Sequence, residues 1–123
     1  MSDTGHEGRA WRHYVQDMID FAHKAGAYTQ GKTQADFVAD ALTYDATLRN
    51  LELIGEAATH IPDRIRDAFP EIPWRAIIGA RNRLAHAYLS MNDDLIWSMI
   101  QDAIPKLLPA LQHLLDTTGE DST

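Results

Sequence analysis

Apolar residues recur along this chain at spacings of three and four, the pattern of helices that bury one face. Over residues 9–28, Trp11, Tyr14, Val15, Met18, Ala22 and Ala25 step round a single stripe. Gly26, Gly31 and Lys32 mark the end of that helix and the turn after it. Thr33-Gln34-Ala35-Asp36 then has the form of a capping box, with Asp at the position usually held by Glu or Gln. The helix it opens is expected to be long and to reach Thr59 or His60, with Phe37, Ala41, Tyr44, Leu48, Leu51 and Ala58 along one side. Gly55 lies inside it, where glycine costs about 1 kcal/mol against alanine and signals that another backbone comes close.

Ile61-Pro62-Asp63 ends this helix, since proline disfavours α geometry in the residue before it. A short helix over residues 63–69 follows and is closed by Pro70. Pro73 suits the first turn of the next helix, whose stripe comprises Trp74, Ile77, Ile78, Leu84 and Ala85. Ser90 or Asn92 caps a last helix, with Leu95, Ile96, Met99, Ile100, Ala103 and Ile104 on its core side. Leu107, Leu108, Leu111, Leu114 and Leu115 continue that face beyond Pro105, and with Pro109 this proline predicts a kink or two collinear pieces. The expected fold is therefore all-α, an antiparallel bundle of four to five helices. One domain spans residues 9–116, between a flexible polar tail at 1–8 and a polar tail at 117–123.

A chain of 123 residues has room for a real core without covalent staples. It holds no cysteine, so disulfides, thiolate metal sites and cysteine nucleophiles are excluded. No apolar run approaches the roughly 20 residues that span a bilayer, and residues 1–7 do not read as a signal peptide, so a cytoplasmic protein that does not engage membranes is expected. The net charge of −7 argues against broad electrostatic binding of nucleic acid. Yet residues 74–92 contain no acid and carry Arg75, Arg81 and Arg83, enough to hold one phosphate. His13 with Asp17, and Asp20 with His23, are read as solvated helix-face pairs rather than metal ligands, because nothing nearby completes a set. Neither a metal nor another cofactor is expected.

The chemistry concentrates in Gly79-Ala80-Arg81-Asn82-Arg83-Leu84-Ala85-His86-Ala87-Tyr88. Positions 74, 78, 81, 85 and 88 share one stripe, which places Arg81 and Tyr88 among apolar neighbours. An arginine in mid-stripe demands a partner. Glu56 is a candidate, although it could equally pair with His60 four residues on. Arginine offers a planar fork of donors for phosphate oxygens, and histidine exchanges a proton near neutral pH. Asn82 can orient either. These are the parts needed to cleave RNA without metal: a base for the ribose 2′-hydroxyl, a cation for the phosphorane and an acid for the leaving 5′-oxygen. Arg81 and His86 diverge by about 140° on an ideal helix, so a local unwinding or a second copy of the chain would have to bring them together. The plainer alternative is that Arg-Asn and a helix-end histidine merely satisfy carbonyls and the helix dipole.

Arg81, four residues, His86, one residue and Tyr88 resembles the signature of the HEPN-domain ribonucleases, specifically the HepT toxin branch. Residues 48–57 (LRNLELIGEA) are similar to that branch's second-helix signature, and residues 72–88 (IPWRAIIGARNRLAHAY) to its central block. Ile96-Trp97 and the break at Pro105 fit as well. The resemblance implies a HEPN-like helical bundle acting as a metal-independent endoribonuclease and working as a homodimer. Arg81 and His86 would be catalytic and Asn82 supporting, with Glu56 and Arg83 behind them. The implied partner is an MntA-like nucleotidyltransferase antitoxin of a type VII toxin–antitoxin system, which silences the toxin by moving AMP from ATP onto Tyr88. RNA is the implied substrate, with tRNA among the candidates. The competing expectation is a non-catalytic HEPN module that binds a nucleotide or partner, either antitoxin-like or as the substrate-binding subunit of a nucleotidyltransferase.

Overall fold

A computed structural model describes residues 2–85 and 92–119 of the chain. Among the described residues every regular element is helical: α1 (Ser2–Thr29), α2 (Gln34–Ala39), α3 (Ala41–Ala58), α4 (Asp63–Ala68), α5 (Trp74–Ala85), α6 (Asp93–Ser98) and α7 (Ile104–Gly119), with a π-helical turn at Met99–Ala103 joining the last two. No helix among them is long and apolar enough to cross a membrane.

The stripe expected on α1 is the one that is buried: Trp11, Val15, Met18, Ile19, Ala22 and Ala25 all face the core. The helix begins at Ser2, ahead of the expected residue 9, because the apolar spacing marks only where a helix starts to bury a face. Gly31 adopts φ 77 in the turn that follows, a conformation other residues resist.

The single long helix expected over residues 33–60 is two helices. Thr33 caps α2 by accepting from the Asp36 N–H at 3.1 Å. The chain then leaves helical geometry at Asp40, with φ −96 and ψ 92. The reason is a second cap. The Asp40 carboxylate accepts from the Thr43 N–H at 3.2 Å and from the Thr43 hydroxyl at 2.8 Å, with Lys32 at 3.8 Å. The Thr43 hydroxyl and N–H hold the Asp40 carboxyl below its ordinary pKa, with Lys32 assisting. An aspartate followed three residues on by a hydroxyl competes with helix propagation, and here it wins. The break resets the helical phase, which leaves Ala41 exposed although it was expected on the core side. The face of α3 that is buried runs through Thr47, Asn50, Leu51, Ile54, Gly55, Ala57 and Ala58. Its two polar members turn inward onto their own helix: Thr47 donates to the Thr43 carbonyl at 2.7 Å and Asn50 to the Ala46 carbonyl at 2.9 Å.

α1 and α3 form the most extensive helix pair, and α5 packs on α3 as well. Tyr14, midway along α1, stacks on His60, just past the end of α3. α7 returns along α1, where Arg12 donates to the Thr118 hydroxyl at 2.8 Å and to the Leu115 carbonyl at 3.2 Å. Trp74 anchors the start of α5. Its ring is buried, and its indole N–H donates to the Phe69 carbonyl at 3.0 Å, closing the loop from α4 over the buried Ile72.

Asn92 caps α6 by accepting from the Leu95 N–H at 2.7 Å. The adjoining acids tie this end to the α2–α3 hinge, through Gln34 to Asp94 at 2.6 Å and the Tyr44 hydroxyl to Asp93 at 2.7 Å. Burial, aided by that bond to Asp93, pushes the Tyr44 pKa up to about 12. The break expected at Pro105 takes the form of the π turn, in which the Ile104 N–H reaches back five residues to the Met99 carbonyl. Pro105 lacks the N–H that the Gln101 carbonyl would accept in an α-helix, so widening the turn just before it costs little. Steps of four overshoot an α-helical turn but fit the wider one. Ile96, Ile100 and Ile104 therefore stay buried while Leu95 and Ala103, both expected in the core, are exposed.

Among Gly26, Gly31, Gly55 and Gly79, Gly55 alone is closely approached by a neighbouring helix. A Cβ there would lie 2.6 Å from the Arg81 Cβ and 2.8 Å from the Ile77 carbonyl oxygen, distances that only backbone movement can relieve. Gly55→Ala is therefore expected to destabilise the fold by about 1–3 kcal/mol despite alanine's better helix propensity, measured as a lower urea midpoint. An unchanged or higher midpoint would show that α3 and α5 have room to separate.

Candidate active site

The close approach at Gly55 decides where the Arg81 side chain goes. Its Cα and Cβ rest against α3, so the side chain leaves α5 along the surface of the neighbouring helix and meets the next residue there, Glu56. Arg81 Nη1 donates to Glu56 Oε2 at 2.5 Å, and Nη2 donates to Asn82 Oδ1 at 3.1 Å. Among the described residues these partners engage two of the five N–H groups of the guanidinium, which fixes its plane and leaves donors for the oxygens of an anion.

Both alternatives for Glu56 are realised at once. While Oε2 takes Arg81, Oε1 lies 3.8 Å from His60 Nε2, an ion pair whenever the imidazole is protonated. The His60 ring in turn stacks on Tyr14 with centroids 4.4 Å apart and planes 13° from parallel. Three elements that are distant in sequence thereby contribute to one surface group: Tyr14 from α1, Glu56 and His60 from the end of α3, and Arg81 with Asn82 from α5.

This group is open to solvent. The side chains of Arg81, Glu56 and His60 keep 31%, 48% and 46% of their accessible surface, so the ion pair is screened. Two clefts among the described residues are lined by none of these side chains. One cleft of about 680 Å³ sits at the other end of α5, between Arg66, Trp74, Arg75 and Ile78. A second, of about 540 Å³, is lined by Ile77, Leu95, Met99 and Leu107.

The other expected site residues divide clearly. Gly79 and Asn82 are exposed, as is Ala85, which was expected on the buried stripe. Leu84 takes the buried position instead. Arg83 is also exposed, and no ion pair engages it among the described residues. His86 and Tyr88 lie outside the described residues. No group of three or more His, Asp or Glu side chains that could hold a metal exists among the described residues. Sequence reading did not anticipate the stack of Tyr14 on His60. Tyr14 sits in the apolar stripe of α1, and nothing in its spacing points to a residue beyond the next helix.

The all-helical fold agrees with the kinship found by comparison. The family model of HepT-like ribonucleases matches residues 18–114, covering α3, α5 and the π turn. A Thermococcus cleftensis protein named as a probable ribonuclease HepT is 33% identical over 106 residues, 86% of this chain and 96% of its own length. A Methanocaldococcus jannaschii protein inferred to be an RNase is 31% identical over 108 residues, 87% of this chain and 84% of that one. A similarly described protein of Caldanaerobacter subterraneus is 32% identical over 104 residues, 85% of this chain and 93% of its own. No solved structure matches the chain. The bundle is thus that of a ribonuclease, an enzyme cutting within RNA. The chain belongs to the HepT-like ribonuclease family.

An exposed ion pair of this kind contributes little to folding. A double-mutant cycle of Glu56→Ala and Arg81→Ala, read by urea denaturation, is expected to give a coupling of about 0.2–1 kcal/mol. A coupling well above that range would make the pair a structural clasp of the α3–α5 contact rather than a device that orients Arg81.

Proposed function

We propose that this chain is the toxin of a toxin–antitoxin pair, a metal-independent endoribonuclease whose site is shared between two copies of the chain. Arg81 binds the scissile phosphate and stabilises the phosphorane, and Glu56 and Asn82 set its orientation. His86 serves as the proton-transfer group. A base, His86 of one copy, takes the proton of the ribose 2′-hydroxyl. That oxygen attacks the adjacent phosphorus, and the bond to the 5′-oxygen breaks. The leaving oxygen takes a proton from the acid, His86 of the other copy. The products are a 2′,3′-cyclic phosphate and a 5′-hydroxyl end, and water enters neither.

The observation that carries this reading is the state of Arg81 in a chain of the HepT-like family. Its guanidinium is held by Glu56 and Asn82 on an open surface, with donors to spare, instead of being neutralised inside the core. An open surface suits half a site. A second copy related by a two-fold axis would supply the missing wall, exclude water and bring the two histidines to opposite sides of one phosphate.

The same reading gives Tyr88 the role of a switch. A nucleotidyltransferase antitoxin resembling MntA would activate the phenol for attack on the α-phosphorus of ATP, with pyrophosphate leaving and the phenolic proton passing to a base. The resulting tyrosyl-AMP carries a phosphodiester that would compete with RNA for the Arg81 guanidinium.

Cleavage assays on total RNA test the catalytic assignment. Arg81→Ala is expected to lower the cleavage rate about 10²–10³-fold and His86→Ala about 10²–10⁴-fold, with the far-UV circular dichroism of both unchanged. A folded His86→Ala protein cutting at the wild-type rate would refute it. Nucleotide binding through Arg81 without cleavage by the wild type would instead favour the non-catalytic module. For the switch, intact-mass measurement after incubation with the antitoxin and ATP is expected to show added AMP on wild type and none on Tyr88→Phe. Equal labelling of both would place the modification elsewhere.

A further inference from the structure

The stacked pair of Tyr14 and His60 is left unused by the cleavage chemistry, and it is joined to Arg81 through a single carboxylate. Glu56 touches the arginine with one oxygen and faces the imidazole with the other, at 2.5 Å and 3.8 Å. The ring of His60 thus stands one carboxylate away from the guanidinium, within the reach of a single nucleotide from its phosphate to its base. One face of that ring is covered by Tyr14, 4.4 Å away and nearly parallel. The His60 side chain nonetheless keeps 46% of its surface accessible.

The backbone beneath this ring is fixed. The His60 N–H donates to the Ala57 carbonyl at 3.0 Å, the next residue, Ile61, is 1% exposed, and Pro62 follows. Tyr14 is packed against the hydrophobic core. Two rings already stacked and anchored on both sides form a rigid platform that loses little entropy when a third ring is added.

The need for such a platform follows from charge. A chain with a net charge of −7 repels the RNA backbone at long range, so its affinity has to come from short-range contacts. Stacking of a base on an aromatic ring is a contact of that kind. It is insensitive to net charge and accepts any base, because every base has a π face.

We infer that the outer face of His60 is a nucleobase-binding subsite, on which a base flanking the phosphate held by Arg81 stacks to extend the Tyr14–His60 pile by one ring. The inference rests on the proposal that Arg81 binds a phosphate of RNA. It assigns His60 to binding the substrate rather than to proton transfer. Glu56 Oε1, at the edge of the same platform, is placed to accept from the N–H groups of the stacked base.

The test uses the full-length protein and a short 2′-O-methyl RNA, which offers no nucleophile for cleavage, carrying 2-aminopurine at one position at a time. Stacking quenches the fluorescence of this base analogue. Wild type is expected to quench one position strongly. His60→Ala is expected to abolish that quench and weaken binding about 5- to 150-fold, the range for losing one base–aromatic stack. His60→Phe keeps the ring and is expected to retain both the quench and the affinity. The subsite is overturned if His60→Ala quenches as wild type does, or if His60→Phe fails as completely as His60→Ala. A changed oligomeric state of His60→Ala in sedimentation also overturns it, because the exposed ring would then be an interface between copies. Cleavage of unmodified RNA, run in parallel, separates this inference from the one beneath it. Wild-type protein that cuts RNA with no positional quench removes the subsite alone, whereas wild type that neither cuts nor binds RNA removes both.

Discussion

The contact of Gly55 with Arg81 and Ile77 is the constraint on which the rest of the site depends. Where a side chain would ordinarily hold two helices apart, α3 offers a bare backbone, and α5 closes until the Arg81 Cβ fills the space. An arginine that begins in such a contact has few directions left. It runs over α3 and meets Glu56, so the helix crossing and the orientation of the guanidinium are one structural fact. Trp74 sets the other end of α5 by burying its ring and binding the Phe69 carbonyl, which fixes the direction in which the helix delivers Arg81.

This arrangement reconciles an acidic protein with a polyanionic substrate. On the proposed function, the charge that binds one phosphate is that of Arg81, kept from complete neutralisation by the exposure of its carboxylate partner. In the open monomer this pairing is weak, as screened surface pairs are. Closure by a second copy would lower the local dielectric and strengthen each interaction with a bound phosphate. The same surface carries the Tyr14–His60 stack, a contact of a different kind, indifferent to charge.

The breaks in the bundle follow the same economy. Asp40 and Thr43 interrupt what the apolar pattern reads as a continuous helix, and the interruption turns the face of α3 so that Gly55 and Glu56 meet α5. The π turn before Pro105 absorbs a missing N–H and keeps three isoleucines on one side of the last helical run. Each break is local chemistry overriding periodicity, and each determines which residues end up facing the core.

Much of this was legible in the chain itself. The repeat of apolar positions at three and four marked the buried faces of α1 and α7, and the prolines marked the loops around α4. Glycine at 55 announced a close approach, and an arginine in an apolar stripe announced a partner. These are properties of short stretches, governed by local geometry and propensity, and short stretches carry them whole. The extent of the first helix, the split at Asp40 and the exposure of Ala41, Ala85, Leu95 and Ala103 were not legible. At Ala41, Leu95 and Ala103 a capping bond or a widened turn shifts the helical phase by an amount that periodicity cannot register. Nor could the sequence say whether Glu56 belongs to His60 or to Arg81, because both lie within reach of a flexible side chain. Only the packing of α1, α3 and α5 decided that it serves both, and that Tyr14 closes the row. Such a juxtaposition depends on where three separate helices cross, and crossing is set by the summed shape of the side chains between them.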